Sequence, residues 1–274
     1  MEPMVVVGYD GSARSRAAAH WAAGEAARRQ RPLRLVHVAA PVPARDASGR
    51  SANAAAADRL FADPAAVVAE LYADHPAMAM KALQVEGSPA ADLIGLAAVI
   101  ADLLVLGIRG AGGWAGLSIG SVALEAAERC PVPVVLVPIG PVCRGAGPSL
   151  NPVTLAIDAH APADAAVDFA FDVAQRRHER LRAVHVGKPG PPEAGAQWLH
   201  QEVQTLVEAL RPWRHKYPDV RVVEDVVLGL AVDTLARASG RSELLVVGRC
   251  GSGLGSVVRE LVGRAEGPIA VVPA

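Results

Sequence analysis

Gly107, Gly110, Gly120 and Ser121 stand in the order Gly-x-x-Gly, nine further residues, Gly-Ser. Ahead of them, Asp102-Leu103-Leu104-Val105-Leu106 reads as a buried strand. Behind them, Val122 to Glu128 reads as a helix. A strand that feeds a Gly-rich loop and then a helix N-terminus suits anion binding. The first backbone N–H groups of a helix have no internal partner, and the macrodipole adds partial positive charge there. Glycine lets the backbone come close to a phosphate. On this reading Gly120 supplies an unobstructed N–H, and Ser121 adds a hydroxyl beside it. A Gly-rich connection with no ligand is the competing reading, and the loop alone does not separate the two.

Asp10 is the next candidate. It follows the apolar run Met4 to Gly8 and opens the turn Asp10-Gly11-Ser12. In open parallel sheets, ligands bind beyond the carboxyl ends of the strands, near the switch in strand order. Asp10 and Gly11 would lie at that crevice. The carboxylate can hydrogen-bond a ribose or help to hold Mg²⁺ against phosphates. It can equally close an Asx-type turn or cap the following helix. Val38, at the end of the second apolar run, either offers backbone groups to an adenine edge or is ordinary strand. His37 and His185, each on a buried strand, read as packed, hydrogen-bonded histidines rather than metal ligands or bases. Arg109, within the loop, reads as a solvated side chain.

The elements that would position these residues follow from the apolar periodicity. Strands are expected over residues 4–8, 33–38, 80–85, 102–106 and 132–138, with helices over 13–30, 53–74 (interrupted near Pro64) and 121–129. Ala17, Ala18, Trp21 and Ala22 should form the inner face of the first helix. Ser88 and Pro89 should start a further helix, as cap and first-turn residue. Alternating strands and helices predict a parallel sheet with helices on both faces. Residues 139–151 read as a linker, after which the pattern restarts. Leu181 to Val186 echoes Leu33 to Val38, and Asp158 echoes Asp10. Gly248-x-x-Gly251 and Gly255-Ser256 echo the loop. This is an internal duplication. The second loop keeps only Ser252-Gly253-Leu254 between Gly251 and Gly255, and Ala159-His160 replace Gly11-Ser12. A second site at Asp158, Gly248, Gly251, Gly255 and Ser256 is therefore doubtful.

The 274 residues suffice for two ordinary domains, and 51% are apolar. A net charge of −1 with interspersed signs argues against nucleic acid as a partner. No apolar run is long enough to span a membrane. Met1 leads directly into a strand, without a signal-peptide pattern. Cys130, Cys143 and Cys250 form no CxxC or zinc pattern, which fits a reducing cytoplasm. There is no GxxxxGK[ST] loop, HExxH or GxSxG elbow, so catalysis is poorly supported.

The loop, complete at its four marked positions, resembles the ATP-binding signature of the universal stress protein family. The opening VVVGYDGSARSRAAAHWAAGEA is similar to that family's first strand, acidic turn and first helix, and VPVVLVP to its closing strand. The resemblance implies two tandem doubly wound α/β domains, each a five-stranded parallel sheet of Rossmann-like, adenine nucleotide alpha hydrolase-like type. These would span residues 1–140 and 152–274, joined by a linker at 141–151. It implies ATP with Mg²⁺ as ligands and a regulatory or signalling role in stress response, in the cytoplasm. The alternatives are a slow ATPase and a nucleotide-free, partner-binding member of the same fold. Single-domain members of the family pair their closing strands. An intramolecular pseudo-dimer of the two copies is expected here, with a homodimer also open.

Overall fold

The computed structural model of the protein describes residues 2–39, 64–108, 119–139, 151–187, 195–249, 251 and 253–274. These fall into two compact units, one ending at Ile139 and the other holding everything from Asn151 onward. The first unit runs β1 (Met4–Gly8), α1 (Ala13–Arg29), β2 (Leu33–Ala39), α2 (Pro64–Asp74), β3 (Met80–Glu86), α3 (Pro89–Ile100), β4 (Ala101–Gly107), α4 (Ser121–Arg129) and β5 (Val134–Val137). Its strands are parallel, in the order β3-β2-β1-β4-β5. The chain winds outward from β1 to β3, then returns to β4 on the other side. The switch in strand order therefore lies between β1 and β4.

Burial explains the sequence pattern. Val5, Val6, Val7, Leu103, Leu104 and Val105 are inaccessible to solvent, because helices cover both faces of the sheet. Central parallel strands are accordingly apolar runs rather than alternations. α1 packs with α2 on one face, and α3 with α4 on the other. In α1, Ala18, Trp21 and Ala22 are buried as expected, and Ala17 is half-buried. Ala19 and Ala23 are buried too, so the inner stripe is wider than the pattern suggested. The same helix buries Glu25, whose carboxylate accepts a 2.7 Å hydrogen bond from Arg29 one turn on. A buried carboxylate is tolerated when it is paired in this way.

The ends of the helices are encoded locally. Ser12 caps α1, its Oγ accepting from the Ser15 N–H at 3.1 Å. Gln30 closes α1 in the left-handed conformation (φ 54°), just before Pro32. α2 starts at Pro64, and residues 53–63 of the helix expected over 53–74 lie outside the described residues. Ser88 takes the cap position of α3 with Pro89 behind it, yet its hydroxyl makes no capping bond. The expectation of a serine side-chain cap is corrected there. The position depends instead on the fixed φ of Pro89, which suits a first helical turn.

The second unit repeats the plan: β6 (Val153–Ala156), α5 (Asp164–Arg177), β7 (Leu181–Gly187), α6 (Gly195–Lys216), β8 (Val222–Leu228), α7 (Ala231–Ser239), β9 (Leu244–Gly248), α8 (Ser256–Arg264) and β10 (Ile269–Val272). Its parallel order, β8-β7-β6-β9-β10, follows the same winding. α5 ends on His178, left-handed like Gln30 (φ 53°). Phe171 of α5 is fully buried and stacks on Tyr217, ring centroids 5.6 Å apart. No described helix is long and apolar enough to cross a membrane.

Candidate functional site

In the first unit a cleft of about 270 Å³ opens at the carboxyl ends of β1 and β4, at the switch in strand order. Asp10, Val38, Gly107, Gly120 and Ser121 all line it. Gly110 and Arg109 lie outside the described residues. Gly11 is not among the lining residues, and its φ of +78° accounts for its identity as a turn residue. Asp10 closes a turn at the edge of the cleft. Its Oδ1 accepts the Ser12 N–H at 3.0 Å, an Asx turn, while the residue borders the cleft. His37 is held as expected, with Nδ1 2.8 Å from the Tyr9 carbonyl. Tyr9 itself lines the cleft, and burial raises its hydroxyl above the ordinary value, against the opposing pull of Arg16.

One reading of the loop glycines needs correction. Gly120 was expected to offer a free N–H, but that group donates to the Ile108 carbonyl at 2.9 Å and is spent. Gly120 is instead the N-cap of α4, extended at φ −76° and ψ 151°, with no side-chain cap. The donors left over are the next three, on Ser121, Val122 and Ala123. All three residues line the cleft at the positive end of the α4 dipole. Gly107 lines the cleft and has a second reason to be glycine. A Cβ there would stand 3.0–3.1 Å from the backbone of Arg14, at the start of α1. The motif's first glycine lets a strand end and a helix start touch.

Residue patterns did not single out Val122 and Ala123, whose contribution is backbone and independent of side-chain type. Nor did they mark the apolar wall formed by Val36, Pro89 and Leu93. Those three could have been found from the expected helix beginning at Pro89, because that helix must pack over the end of the second strand.

The second unit carries an equivalent cleft of about 440 Å³. Asp158, Gly248, Gly255 and Ser256 line it, and Gly251 does not. Gly255 caps α8 in the same extended conformation (φ −60°, ψ 157°), again without a side-chain cap. Asp158 repeats the Asx turn, accepting the His160 N–H at 3.0 Å. A Cβ on Gly248 would meet the Ala163 Cβ at 2.6 Å, the counterpart of the Gly107 contact. The shortened loop has therefore kept the helix N-terminus at the cleft.

Comparison with known proteins agrees with this architecture. A model of the universal stress protein family matches residues 3–138 and again residues 150–273. A universal stress protein of Mycobacterium tuberculosis is 30% identical over 300 residues, covering 97% of this chain and 94% of the relative. One from Mycolicibacterium smegmatis is 32% identical over 285 residues, covering 98% and 96%. Among solved structures, a universal stress protein from Archaeoglobus fulgidus superposes with a TM-score of 0.71 at 16% identity, covering 98% of this chain and 96% of that one.

Proposed function

Because the chain belongs to the universal stress protein family, with two of its domains in tandem, we propose that it binds ATP with Mg²⁺ in the first cleft and acts in the cytoplasm as a regulatory protein through the bound state. The supporting observation is the start of α4, where three backbone donors with no side-chain cap face a cleft that also holds a carboxylate. Ser121, Val122 and Ala123 would hold phosphate oxygens through N–H groups, aided by the helix dipole. Asp10, which borders the cleft, would hold the metal or the ribose through its carboxylate. Val36, Val38 and Leu93 give apolar walls suited to a base. Mg²⁺, when bound, neutralises phosphate charge and fixes the phosphate conformation.

The test is calorimetric titration of ATP into the tag-free full chain, with and without Mg²⁺. One ATP per chain is expected, in the first unit, bound more tightly with the metal. No detectable binding at millimolar ATP would end the reading. Two equally tight sites would keep nucleotide binding but end the asymmetry argued from the shorter second loop.

A further inference from the structure

The second unit gathers two histidines and a glutamate into a cluster with no counterpart among the described residues of the first unit. His160 Nε2 lies 2.9 Å from Glu202 Oε2, and His185 Nε2 lies 3.2 Å from the same oxygen. One ligand atom from each of the three residues falls within 4.8 Å of the others. The residues come from three elements: the turn after β6, strand β7 and helix α6. We propose that they form a binding site for a zinc-class transition-metal ion.

Geometry is the first argument. Zn²⁺ binds imidazole nitrogen and carboxylate oxygen at about 2.0–2.2 Å, so tetrahedral ligand atoms stand roughly 3.3 Å apart. The two measured separations are close to that before any side chain moves. Two imidazoles and one carboxylate form a donor set that suits zinc and leaves a fourth position for water.

The support of His185 is the second argument. The ring is buried, 5% exposed, and its Nδ1 meets two backbone groups: the Ala159 N–H, which donates to it at 3.2 Å, and the Ile157 carbonyl at 3.1 Å. The backbone thus fixes the ring with Nε2 aimed at Glu202 Oε2, 3.2 Å away. Without metal, an Nε2–H can donate to that carboxylate. A metal ion would take the place of that proton, and Nδ1–H would then donate to the Ile157 carbonyl, the usual outer support of a metal-bound histidine.

The duplication shows where the site came from. His37 holds the Tyr9 carbonyl at 2.8 Å, as His185 holds Ile157, so the buried histidine and its backbone partner occur in both copies. Ser12 stands where His160 stands. The left-handed Gly11 is replaced by Ala159, which is not left-handed, so the turn takes another course. What looked in sequence like a degraded first-site turn instead delivers His160 to Glu202. The His160 side chain is 59% exposed and gives an ion access from solvent, while the Glu202 side chain is only 12% exposed.

The experiment uses tag-free full-length protein, stripped with chelator and reloaded with Zn²⁺ or Co²⁺. One ion per chain is expected after desalting, and the Co²⁺ form should show the visible absorption of four-coordinate cobalt. His160→Ala and Glu202→Gln should each weaken Zn²⁺ binding roughly 100-fold or more and abolish that absorption, since each removes one of three protein ligands. His178→Ala, away from the cluster, should change neither. His185→Ala is a poor probe because its ring is buried. His160→Ala, at an exposed side chain, decides the matter even if His185→Ala fails to fold. Absence of stoichiometric binding at micromolar Zn²⁺, or unchanged affinity in both His160→Ala and Glu202→Gln, would overturn the site and leave a hydrogen-bonded cluster without metal.

Discussion

Ser121 allows the first cleft to be tested with little disturbance to the fold. It is the first residue of α4, where proline is readily accommodated, and Gly120 before it already has the extended backbone that a following proline requires. Ser121→Pro removes one backbone donor facing the cleft. Hydrogen bonds to charged groups contribute about 1.5–3 kcal/mol, so ATP affinity should fall roughly 10- to 100-fold with an unchanged melting temperature. Ser121→Ala, which keeps the N–H, separates the backbone from the hydroxyl. Affinity equal to wild type in the proline variant would remove the α4 N-terminus from the phosphate site. At this scale the sequence was only partly legible. The type and position of Asp10 were readable, but not that one carboxylate both closes a turn and borders the cleft. The donor role went to Gly120 because a missing side chain shows in a sequence, whereas the acceptor that takes its N–H, the Ile108 carbonyl, appears only once the loop is folded.

Elements were more legible than contacts. The central strands follow from apolar runs, because a parallel strand covered on both faces leaves a continuous signal, whereas β3 and β8 carry polar residues and are partly exposed. Less visible was why certain strands end in glycine. Gly107 and Gly248 finish β4 and β9 where α1 and α5 begin, and each lies against a helix start too closely for a Cβ to fit without displacement. Such a contact joins residues far apart in sequence, and no local pattern carries it. Gly248→Ala should accordingly lower stability by about 1–3 kcal/mol, the usual range for overpacking. Gly253→Ala meets nothing within 4 Å and should be nearly neutral. Urea denaturation of the two variants is the check. Equal midpoints would mean that α5 yields without penalty and that Gly248 has some other role.

For the whole molecule, the pseudo-dimer implied by the family resemblance becomes a question about β5. The Leu104 and Ile108 N–H groups donate to the Pro133 and Val137 carbonyls. Residues of a parallel strand bond alternately to either side, so Val134 turns its N–H away from β4. Charged substitutions at Val134 or Val135 would be ambiguous, because both side chains are buried and a lysine would disturb the first unit by itself. Val134→Pro removes the outward donor and keeps the ladder to β4. If the closing strands of the two copies pair, this variant should unfold in two transitions and show a larger radius in solution. A single transition with wild-type dimensions would count against a shared seam.

The winding of the sheet also bears on how the protein is made. Within its unit, the first strand to leave the ribosome is the middle one, and Val5 must wait for Leu103 to complete its pairing. At translation rates of about 5–20 residues per second, that wait is on the order of 5–20 s. Throughout it, β1 has only β2 beside it, and one side of an apolar strand stays open to whatever the nascent chain meets. The first cleft lies at this late-closing junction. A nucleotide bound there, as proposed, would hold the finished domain together, but would have no completed site while the early strands are being made.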